Sequence, residues 1–244
     1  MILYGRNPVR EALRGRRARS IRGLWATDAA AREPWLAGHG VRIADAAAIE
    51  RRCGSPAHQG VCAEAGAFPY VGGEELLAGG GCLLVALDQV QDPQNLGSIC
   101  RSAECAGAAG VVIPERRAAE VTPAVCKASA GAVEHLRVAR VRNLADFLLK
   151  ARGAGCWSYG ASASTGADGR APVAYDGVAY DAPRVVLVLG SEGAGLRPRV
   201  AKCCDELIAL PLLGHVDSLG VAAAAAAILY EILQDRSAKL DKAS

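Results

Sequence analysis

The chain has 244 residues, 51% of them hydrophobic, with 28 Lys and Arg set against 25 Asp and Glu for a formal charge of +3. This is too apolar for a disordered chain and long enough for one large or two small domains, while the net charge is too small to name a partner. The charge is unevenly spread: residues 1–66 carry eleven Arg against six carboxylates, a surplus of +5, so residues 67–244 sum to −2.

In chain order, Ile2–Tyr4 reads as a short strand, followed by a helix that Asn7 can cap, with Pro8 at its first position and an end near Gly15. Arg6, Arg10, Arg14 and Arg17 recur along it at three- to four-residue spacing and predict a basic face. Such a face suits a phosphate backbone, and a solvated helix surface is the plainer reading. A strand (Ile21–Ala26), a helix (Ala29–Ala37), a strand (Val41–Ala44), a helix capped by Asp45 and stopped by Gly54, and a strand (Gly60–Glu64) complete a βαβαβ alternation, so residues 1–66 form a compact α/β domain. Residues 67–81, rich in Gly, read as a linker.

Residues 82–244 form the second domain. It opens with an apolar strand, Leu83–Leu87, then an acidic and amide-rich loop, then a helix Leu96–Ala106 that Asn95 can cap and that displays Arg101 and Glu104 three apart. Strands at Gly110–Ile113, Leu136–Val141 and Cys156–Ala161 alternate with helices at Pro123–Val133 and Leu144–Arg152. A polar excursion (Ser162–Pro183) precedes the two apolar runs Val185–Leu189 and Leu207–Leu212. The pattern predicts a parallel sheet with helices on both faces. Each of the last two strands ends in a loop that packing does not require. Gly190-Ser191-Glu192-Gly193-Ala194-Gly195 lets backbone approach a ligand, and Leu213 to Ser218 leads into a helix that Asp217 or Ser218 can cap. Loops at strand ends are where an open α/β sheet holds its ligand.

Several chemistries are excluded by what these loops lack. The glycines miss the dinucleotide spacing and follow a late strand, no phosphate-binding G-x-x-x-x-G-K motif occurs, and no G-x-S-x-G nucleophile elbow occurs. Nine cysteines without a C-x-x-C pair read as reduced, buried thiols, and with four dispersed His they offer no metal site. No apolar run is long enough to span a bilayer and the N-terminus is too polar for a signal peptide, so a soluble, cytoplasmic protein is expected.

Three blocks, Asp88–Arg101 (DQVQDPQNLGSICR), Val186–Pro198 (VLVLGSEGAGLRP) and Leu210–Glu231 (LPLLGHVDSLGVAAAAAAILYE), resemble the three motifs of the SpoU-type (TrmH-like) RNA ribose 2′-O-methyltransferases, in order and at workable spacing. YGRNPVREAL and HQGVCAE resemble the ribosomal-protein-like RNA-binding domain of members that act on large-subunit rRNA; with KASAGAVEH (Lys127–His135) the resemblance covers nearly the whole chain. It implies a C-terminal α/β knot, a deep trefoil, preceded by the small α/β domain; S-adenosylmethionine as cofactor; 23S rRNA as substrate; and a homodimer joined through the knot domain. Carried over by motif, Gly190, Gly195, Leu210 and Leu219 contact the cofactor, and Asn95, Arg101, Glu192 and Ser218 are the polar active-site positions.

A guanidinium stays protonated in most settings, so Arg101 reads best as a clamp on phosphate and hydroxyl, with proton acceptance as the alternative. Glu192 reads as an orienting partner or as a charge ahead of a helix, and Arg101 also as an outward charge paired with Glu104. The chain departs from the family at Gly220, where Ser-Leu-Asn is usual and Ser218-Leu219-Gly220 stands. That departure admits another reading, an RNA-binding or ribosome-assembly factor that kept the fold without the activity; a tRNA 2′-O-methyltransferase is a further alternative, which the separate N-terminal domain disfavours.

Overall fold

The computed structural model describes residues 1–79, 83–166 and 169–243, with side chains through residue 237. The first unit comprises β1 (Ile2–Tyr4), α1 (Arg6–Arg14), β2 (Ile21–Ala26), α2 (Asp28–Ala31), β3 (Arg42–Ile43), α3 (Ala46–Cys53) and β4 (Val61–Ala65). Its sheet runs β1-β4-β2-β3, with β4 antiparallel to both neighbours and β2 parallel to β3. Helix α1 starts behind Gly5, held at φ +95°, so Asn7 lies inside it and is not its cap. The helix expected over Ala29–Ala37 divides into α2 and a 3-10 turn at Pro34–Leu36. Proline there removes an amide donor and pushes Glu33 to extended geometry. By contrast, the Asp45 carboxylate accepts from the Ala48 amide at 2.7 Å and Gly54 closes α3 at φ +67°, as expected.

The second unit continues with β5 (Val71–Gly72), α4 (Gly73–Ala78), β6 (Leu83–Leu87), α5 (Pro93–Cys105), β7 (Gly110–Pro114), α6 (Pro123–Ala128), β8 (Arg137–Val141), α7 (Leu144–Gly153), β9 (Cys156–Ala161), β10 (Val173–Ala174), β11 (Arg184–Leu189), α8 (Pro198–Cys203), β12 (Glu206–Ala209) and α9 (Val221–Ala243). All its strand pairs are parallel, in the order β10-β12-β9-β11-β6-β7-β8-β5. Strands β6 and β7 are buried along their whole length, which is why they read as unbroken apolar runs. The last strand is shorter than its apolar run: Pro211 cannot donate to a ladder, and pairing stops at Ala209. After β12 the chain returns across the ends of β9 and β11, and α9 packs on α5 and β11.

The linker expectation requires correction. Within residues 67–81, Val71–Gly72 pairs with β8, and α4 buries Leu76 and Leu77. The glycine content concealed these apolar anchors. Residues 80–82 and 167–168 lie outside the described residues, as does Ser244.

The two units share one apolar cluster that runs from Leu3, Val9 and Ala12 to Cys126 and Val133. Its polar centre is Arg17, only 2% exposed. The guanidinium forks onto Glu134: Nε donates to Oε2 at 2.8 Å, Nη2 donates to Oε1, and the backbone of Arg16 donates to the Glu134 carbonyl at 3.1 Å. Arg17 is therefore withdrawn from any RNA contact: α1 ends at Arg14, and the turn that follows directs the side chain inward. The KASAGAVEH segment supplies the rest of the seam. Lys127 donates to the Ala57 carbonyl at 2.9 Å, His135 meets Glu11 at 3.0 Å, and a Cβ on Gly131 would fall 2.7 Å from that of Glu11. The helix expected through Val133 stops at Ala128 to make this turn. Burial also pushes the thiols of Cys100 and Cys126 up to about 12, so both serve as small apolar side chains.

Removing one partner of a buried pair leaves an uncompensated charge. Glu134→Ala is expected to lower the unfolding free energy by about 3–5 kcal/mol in urea titration, and Arg17→Met with Glu134→Leu to recover much of it.

Candidate functional site

Asp88 follows β6 directly and is fully buried. Its amide donates to the Leu189 carbonyl at the end of β11 (2.7 Å), and its carboxylate accepts from the Arg197 backbone amide and Nε (2.8 Å each) and Nη2 (2.7 Å). The segment between Leu189 and Arg197 is thereby pinned at both ends. Within it, Ser191 and Gly195 exchange two backbone hydrogen bonds, 3.1 and 2.9 Å, and Gly193 sits at φ +79°. The turn folds so tightly onto Gly190 that a Cβ there would fall 2.1 Å from the Gly195 carbonyl carbon. Only glycine fits. Glu192 is exposed at the tip.

The second loop, between β12 and α9, comes back to meet the first. Helix α9 begins at Val221, so neither Asp217 nor Ser218 occupies the expected cap position. Instead the Ser218 hydroxyl accepts from the Gly220 amide at 3.1 Å, and Gly220 turns at φ +78°. A Cβ on Gly220 would lie 3.6 Å from Oε1 of Glu192, an ordinary contact. Between the loops is a cleft of about 220 Å³ whose walls include Gly190, Glu192, Gly195, Leu210, Ser218 and Leu219. Six of the eight residues expected at the active site are thus brought together. Ile208, Val221 and Ile228 give the cleft an apolar floor, and its charged lining residues are Glu192 and Asp217.

Asn95 and Arg101 do not line the cleft. The cap of α5 is Asp92, whose carboxylate accepts from the amides of Gln94 (3.2 Å) and Asn95 (3.0 Å), leaving the Asn95 side chain free in the first turn. Arg101, two turns on, is exposed and makes no ion pair with Glu104 or any other described residue. On α1, Arg6 pairs with Glu33 at 2.8 Å and Arg10 with Glu11 at 2.7 Å, whereas Arg14 is exposed and unpaired among the described residues. Those residues hold no His, Cys, Asp and Glu cluster suited to a metal ion, and no helix long and apolar enough to cross a membrane.

Sequence reasoning assigned no role to Asp88 or Arg197. The available signal was a carboxylate placed directly after a wholly apolar strand.

Residues 82–230 match the profile of the SpoU rRNA methylase family, and residues 2–71 match that of the RNA 2′-O ribose methyltransferase substrate-binding domain. The chain is 40% identical over 190 residues to YacO of Bacillus subtilis, assigned to the TrmH family of tRNA/rRNA methyltransferases, an alignment covering 74% of this chain and 72% of that one. Among solved structures it resembles an AdoMet-bound rRNA methyltransferase from Sinorhizobium meliloti, with TM-score 0.77 and 27% identity over 96% of this chain and 86% of that one. It is equally close to the SpoU methyltransferase AviRb from Streptomyces viridochromogenes in complex with AdoMet, with TM-score 0.77 and 26% identity over 98% and 91%. The chain belongs to the SpoU family of RNA methyltransferases. Its fold is the α/β-knot class of those neighbours, preceded by a substrate-binding domain.

Gly190→Ala is expected to open the first loop. In hydrogen-exchange measurements the amides of Ser191 and Gly195 would lose protection while those of β6 keep theirs.

Proposed function

We propose that the chain transfers a methyl group from S-adenosylmethionine to a ribose 2′-hydroxyl of RNA, with large-subunit (23S) rRNA as substrate, and that it acts as a homodimer. The observation that carries this reading is the cleft between the two loops. Its walls are backbone, aliphatic side chains and the serines Ser162, Ser191 and Ser218, and its charged lining groups are both carboxylates, which suits a ligand with cationic centres and hydrogen-bonding groups. Gly190 lets the loop close onto it, so that backbone forms the cleft wall at this point. These residues fit the cofactor.

Bound there, the cofactor supplies an electrophilic methyl on a sulfonium that is itself the leaving group. The protein's share is mostly alignment of the acceptor oxygen with that methyl. Gly190, Gly195, Leu210 and Leu219 provide main chain and a packing surface, Glu192 favours the cationic centre, and Ser218 and Asn95 orient the hydroxyl. The Arg101 guanidinium donates to the phosphate and the ribose oxygen, stabilising negative charge as it develops. Arg6, Arg10 and Arg14 supply the RNA-facing charge of the substrate-binding domain. The name of the family that residues 2–71 match supports ribose as the acceptor, and the rRNA methyltransferase neighbour from Sinorhizobium meliloti supports rRNA as substrate. The homodimer is supported by exposed apolar side chains in the knot domain: Leu213 is 97% exposed and Val216 73%, and Ala223, Ala227 and Tyr230 are exposed along α9.

The test is methyl incorporation into unmodified rRNA and tRNA, with modified positions mapped by resistance of the adjacent phosphodiester to alkali. Arg101→Ala is expected to lower kcat on the order of 10²–10³-fold, as for loss of one charge-stabilising donor, with calorimetric cofactor affinity unchanged. Gly220 favours a second reading, a non-catalytic assembly factor, which cofactor binding without turnover on either RNA would support. Asparagine tolerates positive φ better than other side chains and would place its amide near Glu192, so Gly220→Asn is expected to raise the transfer rate at a small cost in stability. A rate equal to or below that of the parent would dismiss any loss of function at this position.

A further inference from the structure

Beyond the cleft, the carboxyl edge of the sheet carries a second feature, one strand and two strands from β6. The loop after β7 runs Glu115-Arg116-Arg117-Ala118-Ala119-Glu120, and β8 ends in Arg140-Val141-Arg142. Four arginines oppose two glutamates here, in a part of the chain whose overall charge is negative. Adjacent strands lie roughly 5 Å apart, so these loops leave the sheet about 5 and 10 Å from the strand that leads to Asn95.

The loop is held firmly from within. The Glu115 amide donates to the Val141 carbonyl at 2.9 Å, the Ala119 amide to the Val90 carbonyl at 2.9 Å, and the Val121 amide to the Tyr70 hydroxyl at 2.7 Å. Arg140 belongs to that scaffold: its guanidinium lies 5.2 Å from the centre of the Tyr70 ring and 3.1 Å from Glu120. Arg116, Arg117 and Arg142 do not. All three are exposed, and none has a hydrogen bond or ion pair among the described residues. Arg117 is moreover held at φ +57°, a left-handed conformation that residues other than glycine rarely adopt. Packing does not require two unpaired arginines on a braced loop.

Position supplies the partner. One end of the loop is tied to Val90, in the segment that leads to Asn95. That same end runs on into α6, whose Lys127 is bonded to the substrate-binding domain. The loop that carries Arg116 and Arg117 is therefore anchored to the segment that leads to α5 and continues into the helix that contacts the domain matched to substrate binding.

Resting on the function proposed above, we infer that Arg116, Arg117 and Arg142 grip the phosphates of the RNA strand next to the target nucleotide, forming a second RNA contact on the catalytic domain itself. Guanidinium forks match phosphate oxygens, and such contacts fix register without reading sequence. The RNA would be held on both sides of the acceptor ribose, by α1 on one domain and by this edge on the other.

The experiment measures binding and methylation of an unmodified large-subunit rRNA transcript at several salt concentrations. The slope of log affinity against log salt should fall by about 0.7 for each of Arg116→Gln, Arg117→Gln and Arg142→Gln, and by about 2 for the triple variant. The KM for RNA should rise, with kcat at saturating RNA and cofactor affinity held. Arg137→Gln, an exposed arginine at the opposite end of β8, serves as the control for charge alone. A triple variant with the parental slope and KM overturns the inference, as does an equal loss in Arg137→Gln. If the parent itself shows neither salt-dependent RNA binding nor transfer, the proposed function fails as well, which separates the two outcomes.

Discussion

The carboxylate of Asp88 is the constraint on which the site depends. It is buried at the centre of the sheet's carboxyl edge and takes three donors from Arg197, two from the side chain and one from the backbone. A buried carboxylate without such donors would cost several kcal/mol. Because its own amide also binds the end of β11, both ends of the glycine loop are fixed to one residue of the neighbouring strand. Three glycines would ordinarily make that loop mobile. Pinned ends and the Ser191–Gly195 pair turn their permissiveness into one tight shape, which leaves backbone in the cleft wall where other sequences would have side chains.

A second buried charge does for the domains what Asp88 does for the loop. Arg17 and Glu134 are 117 positions apart, and their forked contact fills the middle of an apolar seam. A pair of this kind adds little stability over apolar replacements but penalises any arrangement that separates it. The substrate-binding domain is thereby held in one orientation relative to α5 and the cleft. An RNA that bound across both domains, as proposed, would meet a preset geometry, and less of its binding free energy would be lost to ordering the protein.

Legibility in the sequence followed the range of the interactions. Strands at Ile2–Tyr4, Ile21–Ala26, Leu83–Leu87 and Cys156–Ala161 were readable to the residue because burial on the sheet dictates their composition. The cleft residues followed from the motifs, since glycines at a strand end have few other uses. Local competition defeated other expectations. Asp92 and Asn95 are both good caps, and the proline after Asp92 decides between them by fitting the first helical turn. Glycine content hid Leu76 and Leu77, so a docked strand and helix read as a linker. Arg17 kept the helical spacing of its neighbours, but the helix ends three residues earlier, and the spacing no longer reports direction. Nothing local in the sequence pairs Arg17 with Glu134 or Asp88 with Arg197.

Gly220 shows how a departure from a motif reads differently once its backbone is known. Its φ of +78° is a conformation that glycine adopts freely and asparagine tolerates better than other residues with a side chain. Both residues therefore fit the same turn, and exchanging one for the other leaves the path of the loop intact. What changes is the group set against Glu192, whose Oε1 lies 3.6 Å from the Cβ position. With glycine, that oxygen faces the cleft without an amide beside it. The negative charge that the cleft offers a cationic ligand is correspondingly less shared, and this favours ligand binding even where it removes a donor from the acceptor's surroundings. The departure thus bears on the balance between holding the cofactor and orienting the hydroxyl, and leaves the fold untouched.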